Sequence, residues 1–345
     1  MNQKGTYDDK TDLFVTFHPK DVLPPEMWNR INWDIDEMQE LWAELIGFKS
    51  PDRVGKIAPE IKPGKYSYKD MEKYPGFKEL FPEYIYKTVK AGGPPIVCNV
   101  IDFELETTRQ FYIALPAAEI TKQRLGKTKL DKYGYLVPCS WGGGFPFPRP
   151  SGEFKAQQVY YNFEKTINNY EENYLLTGEG LAFDKNLTVD KYNKYERRMV
   201  KLMGRSFMEP FGWYDARAEK RGEFSADTVV IYEPRANRGL VTMLLRYDDI
   251  NNMDPMMMYL PQMRRIRKMS SSDTQDPNGD AAYDDMGFLR QKITPKRYPY
   301  TFEIIGEREY LLPWSYNAGK AWVDSKNGYA LRDIGFMRRP CYVLQ

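Results

Sequence analysis

From residue 174 onward the chain reads as a succession of short strand-forming runs with no long helical pattern between them. The runs fall at residues 174–180, 197–204, 228–232, 240–247, 256–260, 266–269 and 302–312. Parallel strands need long crossovers, usually helical ones, so this series predicts an antiparallel meander. Two runs constrain it further. Thr228-Val-Val-Ile-Tyr and Thr242-Met-Leu-Leu-Arg are apolar at consecutive positions rather than alternate ones. A strand with one wet face alternates, so these runs predict a sheet apolar on both faces. Its second layer is to come from the N-terminal helices, from a helix after Gly152, or from a ligand.

The first half has a different texture. Residues 24–46 predict one helix, with Met27, Ile31, Ile35, Met38, Leu41 and Trp42 forming a buried stripe and Gly47 ending it. A second helical stretch, residues 68–91, is interrupted at Pro75-Gly76 and Pro82 and closes at Gly92-Gly-Pro-Pro. Strands at 96–103 and 110–115, a loop at 138–150 and a helix at 152–168 follow. The last residues, 338–345, read as the opening of another strand, to be continued or completed by a partner. The organisation expected is an N-terminal arm and helical segment, 1–95, and a β domain, 96–345, or one continuous domain containing both.

Composition excludes several functions. A single histidine, His18, has no cysteine or carboxylate at ligand spacing, which argues against zinc sites and Ser–His–Asp or Cys–His catalysis. A net charge of +2 implies neither nucleic acid nor a strongly anionic membrane as partner. Cys98, Cys139 and Cys341 form no CxxC pair and leave the compartment open. No apolar run approaches the length of a membrane span. The N-terminus has no apolar signal core, so the protein is cytoplasmic or the chain begins after a removed signal. Aromatic residues reach 15%, with 18 Phe, 26 Tyr and 7 Trp. That content fits a β-rich core with wet edges, or an aromatic-lined cavity.

Three segments are candidates for function. Trp141-Gly-Gly-Gly-Phe-Pro-Phe-Pro-Arg-Pro is not a phosphate loop, because prolines remove the N–H donors and no GK[ST] follows. It is a rigid lid packed on the sheet, or one that also touches ligand through Trp141, Phe145 and Phe147. Met256-Met-Met-Tyr-Leu-Pro-Gln-Met-Arg-Arg-Ile-Arg-Lys-Met predicts a hairpin turning at Leu260-Pro-Gln. Its methionines are core filling or an adaptable apolar surface. Met256, Met258, Tyr259, Arg264 and Arg265 are its candidate ligand contacts, and the cations Arg264, Arg265, Arg267 and Lys268 are a solvated face or bind an acidic partner or lipid head group. The acidic residues Asp273, Asp276, Asp280, Asp284 and Asp285 pair with the neighbouring arginines or hold calcium, though the spacing departs from an EF-hand. No nucleophile-elbow, Walker or Rossmann pattern occurs, and no cofactor or metal is expected.

The hairpin with its continuation Ser270-Ser-Ser-Asp and Tyr283-Asp-Asp-Met resembles the signature of bacterial outer-membrane lipoprotein-sorting proteins. Within that superfamily the chain is most similar to the uncharacterised group called domain of unknown function 1329. Supporting stretches are Gly144-Phe-Pro-Phe-Pro-Arg-Pro, the following helix with Tyr161-Asn162, Lys65-Tyr-Ser-Tyr-Lys-Asp-Met, and Phe302-Glu-Ile-Ile-Gly-Glu-Arg-Glu-Tyr. The resemblance implies an α+β fold: a curved, incompletely closed antiparallel sheet, or half-barrel, with helices packed on its concave side. It implies a periplasmic setting, a lipid or other hydrophobic small molecule as cargo, and an outer-membrane β-barrel or export pump as partner. The expectation is a non-catalytic carrier or accessory protein. A structural subunit completing a complex through its open sheet edge is the alternative. An enzyme using carboxylates or tyrosine is a third, minor reading.

Overall fold

A computed structural model of the chain describes residues 6–8, 13–15, 23–92, 99–167, 173–183, 188–252, 254–269, 301–313, 322–324, 326, 328 and 330–345. His18, Cys98 and the acidic segment 273–285 lie outside the described residues, as does the start, 96–98, of the strand expected over 96–103, whose end overlaps the strand Asp102–Glu106. In chain order the elements are β1 (Thr6–Asp8), β2 (Leu13–Val15), α1 (Pro25–Ile31), α2 (Ile35–Ile46), β3 (Gly64–Ser67), α3 (Asp70–Lys73), α4 (Phe77–Leu80), α5 (Glu83–Ala91) and β4 (Asp102–Glu106). Then come α6 (Leu115–Gln123), α7 (Lys155–Asn162), β5 (Asn173–Phe183), β6 (Val189–Lys201), α8 (Ala216–Arg221), β7 (Glu223–Glu233) and β8 (Val241–Tyr247). The last are β9 (Met256–Leu260), β10 (Arg265–Met269), β11 (Ile304–Pro313), β12 (Trp322–Asp324), β13 (Ala330–Arg332) and β14 (Ile334–Leu344). The class is α+β, with large antiparallel sheets, none closed into a barrel. Two compact units result: residues 1–112 with 305–343, and residues 113–304 with 344–345.

In the first unit the sheet order is β11-β14-β4-β3. Strands β3 and β4 run antiparallel with Tyr66 opposite Phe103, and β14 joins β4 in parallel with Phe336 opposite Leu105. That parallel pair is an addition to the antiparallel pattern expected from the sequence. Aromatic rings fill the core: Tyr66 stacks on Phe103 at 5.7 Å, and Phe81 meets Phe336 edge-on at 5.1 Å. Helices α3, α4 and α5 are the interrupted stretch, broken at the two prolines as expected.

The helix expected over 24–46 is instead α1 and α2. Asp34 takes extended backbone and its side chain accepts from the Glu37 N–H at 2.8 Å, so it caps α2. Aspartate is far better placed at an N-cap than inside a helix, so the periodic stripe splits there: Met38 and Trp42 are buried, whereas Met27, Ile31 and Ile35, expected to be buried with them, are exposed. Gly47 ends α2 at φ 84°. The strand expected over 110–115 is absent. Leu115 opens α6, where Pro116 supplies a preset φ and lacks only an N–H that a helix's first turn leaves free. Residues 338–344 are the second half of β14, and the pairing carries on through Gln345, which exchanges both backbone hydrogen bonds with Glu303 at 2.9 and 3.0 Å. They do not open a further strand.

One ion pair organises this unit. Arg338 and Glu309 are both buried, and a guanidinium nitrogen lies 2.6 Å from the carboxylate. The same guanidinium donates to the carbonyls of Ile57, Ala58 and Ile61 at 2.6, 2.8 and 2.6 Å. Glu309 in turn accepts from the amides of Lys56 and Ile57 at 3.2 and 3.1 Å. A stretch of irregular backbone thereby has its polar groups satisfied by two strands far away in sequence.

The second unit holds the predicted meander. Its sheet order, β10-β9-β8-β7-β6-β5, follows the chain, and every neighbouring pair is antiparallel. Register shifts between Lys194 and Tyr195 and between Glu223 and Ser225 mark bulges, which strengthen the local twist.

Removing one partner of a buried pair leaves the other charge uncompensated, at a cost of roughly 3–5 kcal/mol. Glu309→Ala is therefore expected to lower the urea unfolding midpoint by that equivalent with an unchanged slope. A loss under about 1 kcal/mol, the range of exposed pairs, would show that the pair anchors nothing.

Candidate apolar ligand surface

Register assigns the side chains of the meander to faces, because paired residues share a face and residues two apart share it too. Val230 lies opposite Val241, Val241 opposite Tyr259, and Tyr259 opposite Ile266. Thr228, Met243, Met257 and Lys268 form the next row on that face, with Leu245 beyond. At about 4.8 Å between strands, the four-residue row spans roughly 14 Å. The opposite face carries Val229, Thr242 and Met258, then Asp227, Leu244 and Met256.

These residues are apolar and yet not buried. Strand β8 has two strands on one side and three on the other. Even so, Val241, Thr242, Met243, Leu244, Leu245 and Arg246 are each only part-buried. An interior strand of a covered sheet is buried, and a strand with one wet face alternates polar with apolar. β8 does neither. Tyr259 is 37% exposed and Ile266 70%.

Charge bounds the surface. On the Val230–Ile266 face, Glu196 and Arg198 pair with each other on β6, and Tyr232 donates to Glu196 at 3.3 Å. On the opposite face Arg197 pairs with Asp227, and its guanidinium carbon lies 5.3 Å from the Tyr174 ring centre. The apolar strip is thus confined to β7–β10. Of the residues expected to touch ligand, Met256 and Met258 lie on one face and Tyr259 on the other. Arg264 closes the turn at φ 49°, and Arg265 opens β10. Val230, Val241, Met243, Met257 and Ile266 complete the surface and were not singled out in the sequence. Their signal was the non-alternating strand composition, which needs a register before it names a face.

The Trp141 loop has a different setting. Trp141 is fully buried and its indole N–H donates to the Gly144 carbonyl at 3.0 Å. The Phe145 N–H donates to Thr121 Oγ1 at 2.8 Å. The Phe147 N–H donates to Asn162 Oδ1 at 2.8 Å, and Asn162 Nδ2 returns a bond to the Phe147 carbonyl at 2.7 Å. Gly144 sits at φ 67°, where a side chain would collide with Thr121. Trp141 and Phe147 therefore belong to one cluster with Tyr160, Tyr161, Met203 and Phe224, tied down by α6 and α7.

Charges missed by sequence reasoning support that cluster. Lys165 is buried, 4.4 Å from the Phe224 ring centre and 5.7 Å from that of Trp141. Its ammonium lies 3.2 Å from Asp248 and 3.5 Å from Glu164. Lys201 stands 5.3 Å from the Trp141 ring. Asp248 also accepts from the Cys139 N–H at 2.6 Å. Burial disfavours the charge on Lys165, but Glu164 and Asp248 outweigh it and hold its pKa above the ordinary 10.5. Among the described residues no group of three or more His, Cys, Asp or Glu side chains is gathered as metal ligands would be.

A lysine whose pKa is raised by folding contributes its full stability below the unfolded value of 10.5 and loses it as pH rises through the folded one. Urea unfolding free energies are therefore expected to decline from about pH 10 upward, with Lys165→Met removing part of the decline. An identical alkaline decline in the variant would show that folding does not raise the Lys165 pKa.

Among the described residues no helix is long and apolar enough to cross a membrane. None of the curated proteins matches the chain. Two solved structures are similar to it. One, a DUF1329 family protein from Desulfovibrio piger, shares 14% identity over 49% of this chain and 68% of its own, with a TM-score of 0.29. The other, a putative outer membrane lipoprotein-sorting protein domain from Vibrio parahaemolyticus, shares 15% identity over 53% of this chain and 68% of its own, with a TM-score of 0.27. The family model described as protein of unknown function (DUF1329) matches residues 69–336, and with most of its length covered the chain belongs to that family.

Proposed function

We propose that this protein binds an elongated apolar ligand, such as the acyl chain of a lipid, on the strip formed by β7–β10, as a non-catalytic carrier or accessory factor of the bacterial envelope. The observation that carries this reading is the part-exposed apolar strand β8 inside a six-stranded sheet. Covering such a strip with hydrocarbon gains roughly 0.8 kcal/mol per buried methylene, so ten methylenes offer about 8 kcal/mol before ordering costs. Met243 and Met257, on the same face as Val241 and Tyr259, suit chains of varied shape, because a thioether side chain adapts at little strain. The envelope setting, and an outer-membrane β-barrel or export pump as recipient, follow from the likeness of the hairpin signature to lipoprotein-sorting proteins. A second reading, a subunit that completes a complex, rests on a different observation: among the described residues the six-stranded sheet ends in two edges, β5 and β10.

The deciding measurement is mass spectrometry of an organic extract of the protein purified from its native host, alongside titration with a fluorescent long-chain fatty acid. A stoichiometric lipid and saturable probe binding are expected. Val241→Asp and Met243→Asp should each weaken the probe at least about tenfold, since each sets a carboxylate against hydrocarbon. Lys122→Asp, an exposed position outside the strip, should leave it unchanged. An empty extract together with no saturable probe binding would remove the ligand reading and leave the complex-forming one.

A further inference from the structure

We propose that the end of the six-stranded sheet formed by the β7–β8 and β9–β10 turns docks on an anionic lipid surface. Residues 234–240 and 261–268 contain Arg235, Arg238, Arg264, Arg265, Arg267 and Lys268, and no Asp or Glu. Arg238 pairs with Glu233. The other five cations have no carboxylate partner among the described residues, and Arg235, Arg264, Arg265, Arg267 and Lys268 are all exposed. The chain as a whole carries only +2, so this is a local concentration of charge and not the average of the surface.

The two turns form one platform. Gln262 Nε2 donates to the Ala236 carbonyl at 2.6 Å, which ties the second turn to the first. Between the cations stand apolar side chains that the fold leaves outside: Met263 is 45% exposed and Ile266 70%. Cations set around protruding apolar groups are the composition of a surface that seats itself at a bilayer interface. The charges meet the headgroups and the apolar groups reach the acyl boundary. A soluble acidic partner would satisfy the cations but not Met263 and Ile266. Ile266 is also the last member of the row Val230–Val241–Tyr259–Ile266. The apolar strip therefore runs out to the platform, and a chain leaving a bilayer there would meet hydrocarbon at once. The last step rests on the ligand reading above, whereas the docking itself does not.

The test is cosedimentation of the full chain with vesicles of phosphatidylcholine alone or mixed with phosphatidylglycerol. Binding is expected only to the mixed vesicles and should fall steeply with added salt. Each cation removed should cost roughly fivefold in partition, so R264Q/R265Q/R267Q/K268Q should lose several hundredfold. M263S/I266S should lose less and keep the salt dependence. The control K122Q/K127Q/K129Q/K220Q removes as much charge elsewhere in the same unit and should bind as the parent does. Equal loss in the control would assign the effect to net charge and overturn the proposal. So would undiminished binding by the quadruple hairpin variant, or capture of an acidic protein without affinity for anionic vesicles. The fatty-acid titration without vesicles separates the two readings. Vesicle binding with no probe binding leaves docking standing and the ligand reading lost, and the reverse result does the opposite.

Discussion

A β-sheet satisfies its backbone by pairing, but pairing does nothing for its side chains. In the second unit the ladder from β5 to β10 is complete, yet β7, β8 and β9 present apolar residues in both directions. Leaving them wet costs about 25 cal/mol for each Å² of apolar surface. A sheet made this way is stable on its own account only where something lies over it. At the Trp141 end that something is the protein: α6, α7 and the glycine–proline loop bring Tyr160, Tyr161 and Trp141 onto Met203 and Phe224. Over Val230, Val241, Met243 and Tyr259 the described residues provide no such fully burying cover. The contrast between the two ends of one sheet is what supports the proposal of a ligand surface at the second.

Both units use the same device to hold irregular backbone. In one, Arg338 and Glu309 hold the backbone around residues 56–61; in the other, Lys165 and Asp248 hold the loop around Cys139 and Trp141. Buried ion pairs are weak sources of stability compared with well-packed apolar groups. Their value lies elsewhere. A charge surrounded by fixed donors or acceptors tolerates one arrangement, and a loop built around it inherits that arrangement. The Trp141 loop, with Trp141 and Phe147 packed in its own cluster, is held in this way through the Cys139 amide and Lys165.

Much of the fold was legible because local chemistry agreed with the global outcome. Pro75, Pro82 and Gly47 break or end helices wherever they occur, and the run Met256–Leu260 followed by Pro261 makes a strand and a turn in almost any setting. The order of the meander followed from the lack of helices between strands. What escaped depends on partners remote in sequence. Phe336 pairs with Leu105 across a parallel ladder that has no local signature. Lys165 and Asp248 look in sequence like any solvated charges, and only the packing of Trp141 and Phe224 around them makes them interior. The ligand strip was half legible. The composition announced a sheet apolar on both faces, but placing Tyr259 beside Val241 rather than Thr242 needs the register, since a slip of one residue exchanges the faces.

The cations of the hairpin admit a simpler reading, and it can be weighed. Edge strands often carry lysine or arginine to discourage pairing with another sheet, and among the described residues β10 is an edge. That purpose is served by charge spread along the edge strand itself. Here Arg235 and Arg238 lie in the β7–β8 turn, on no edge, and Arg264 lies in a turn as well. Arg265, Arg267 and Lys268 do run along β10, but Arg235, Arg238 and Arg264 lie in turns at the end of the sheet where β10 begins, so edge protection leaves three of the six cations unexplained. Edge protection also calls for suppressing exposed apolar groups, whereas Ile266 stands among the cations with most of its surface in water. Charge and apolar exposure together at one end are costly for a protein that meets only water, and favourable for one that meets a bilayer.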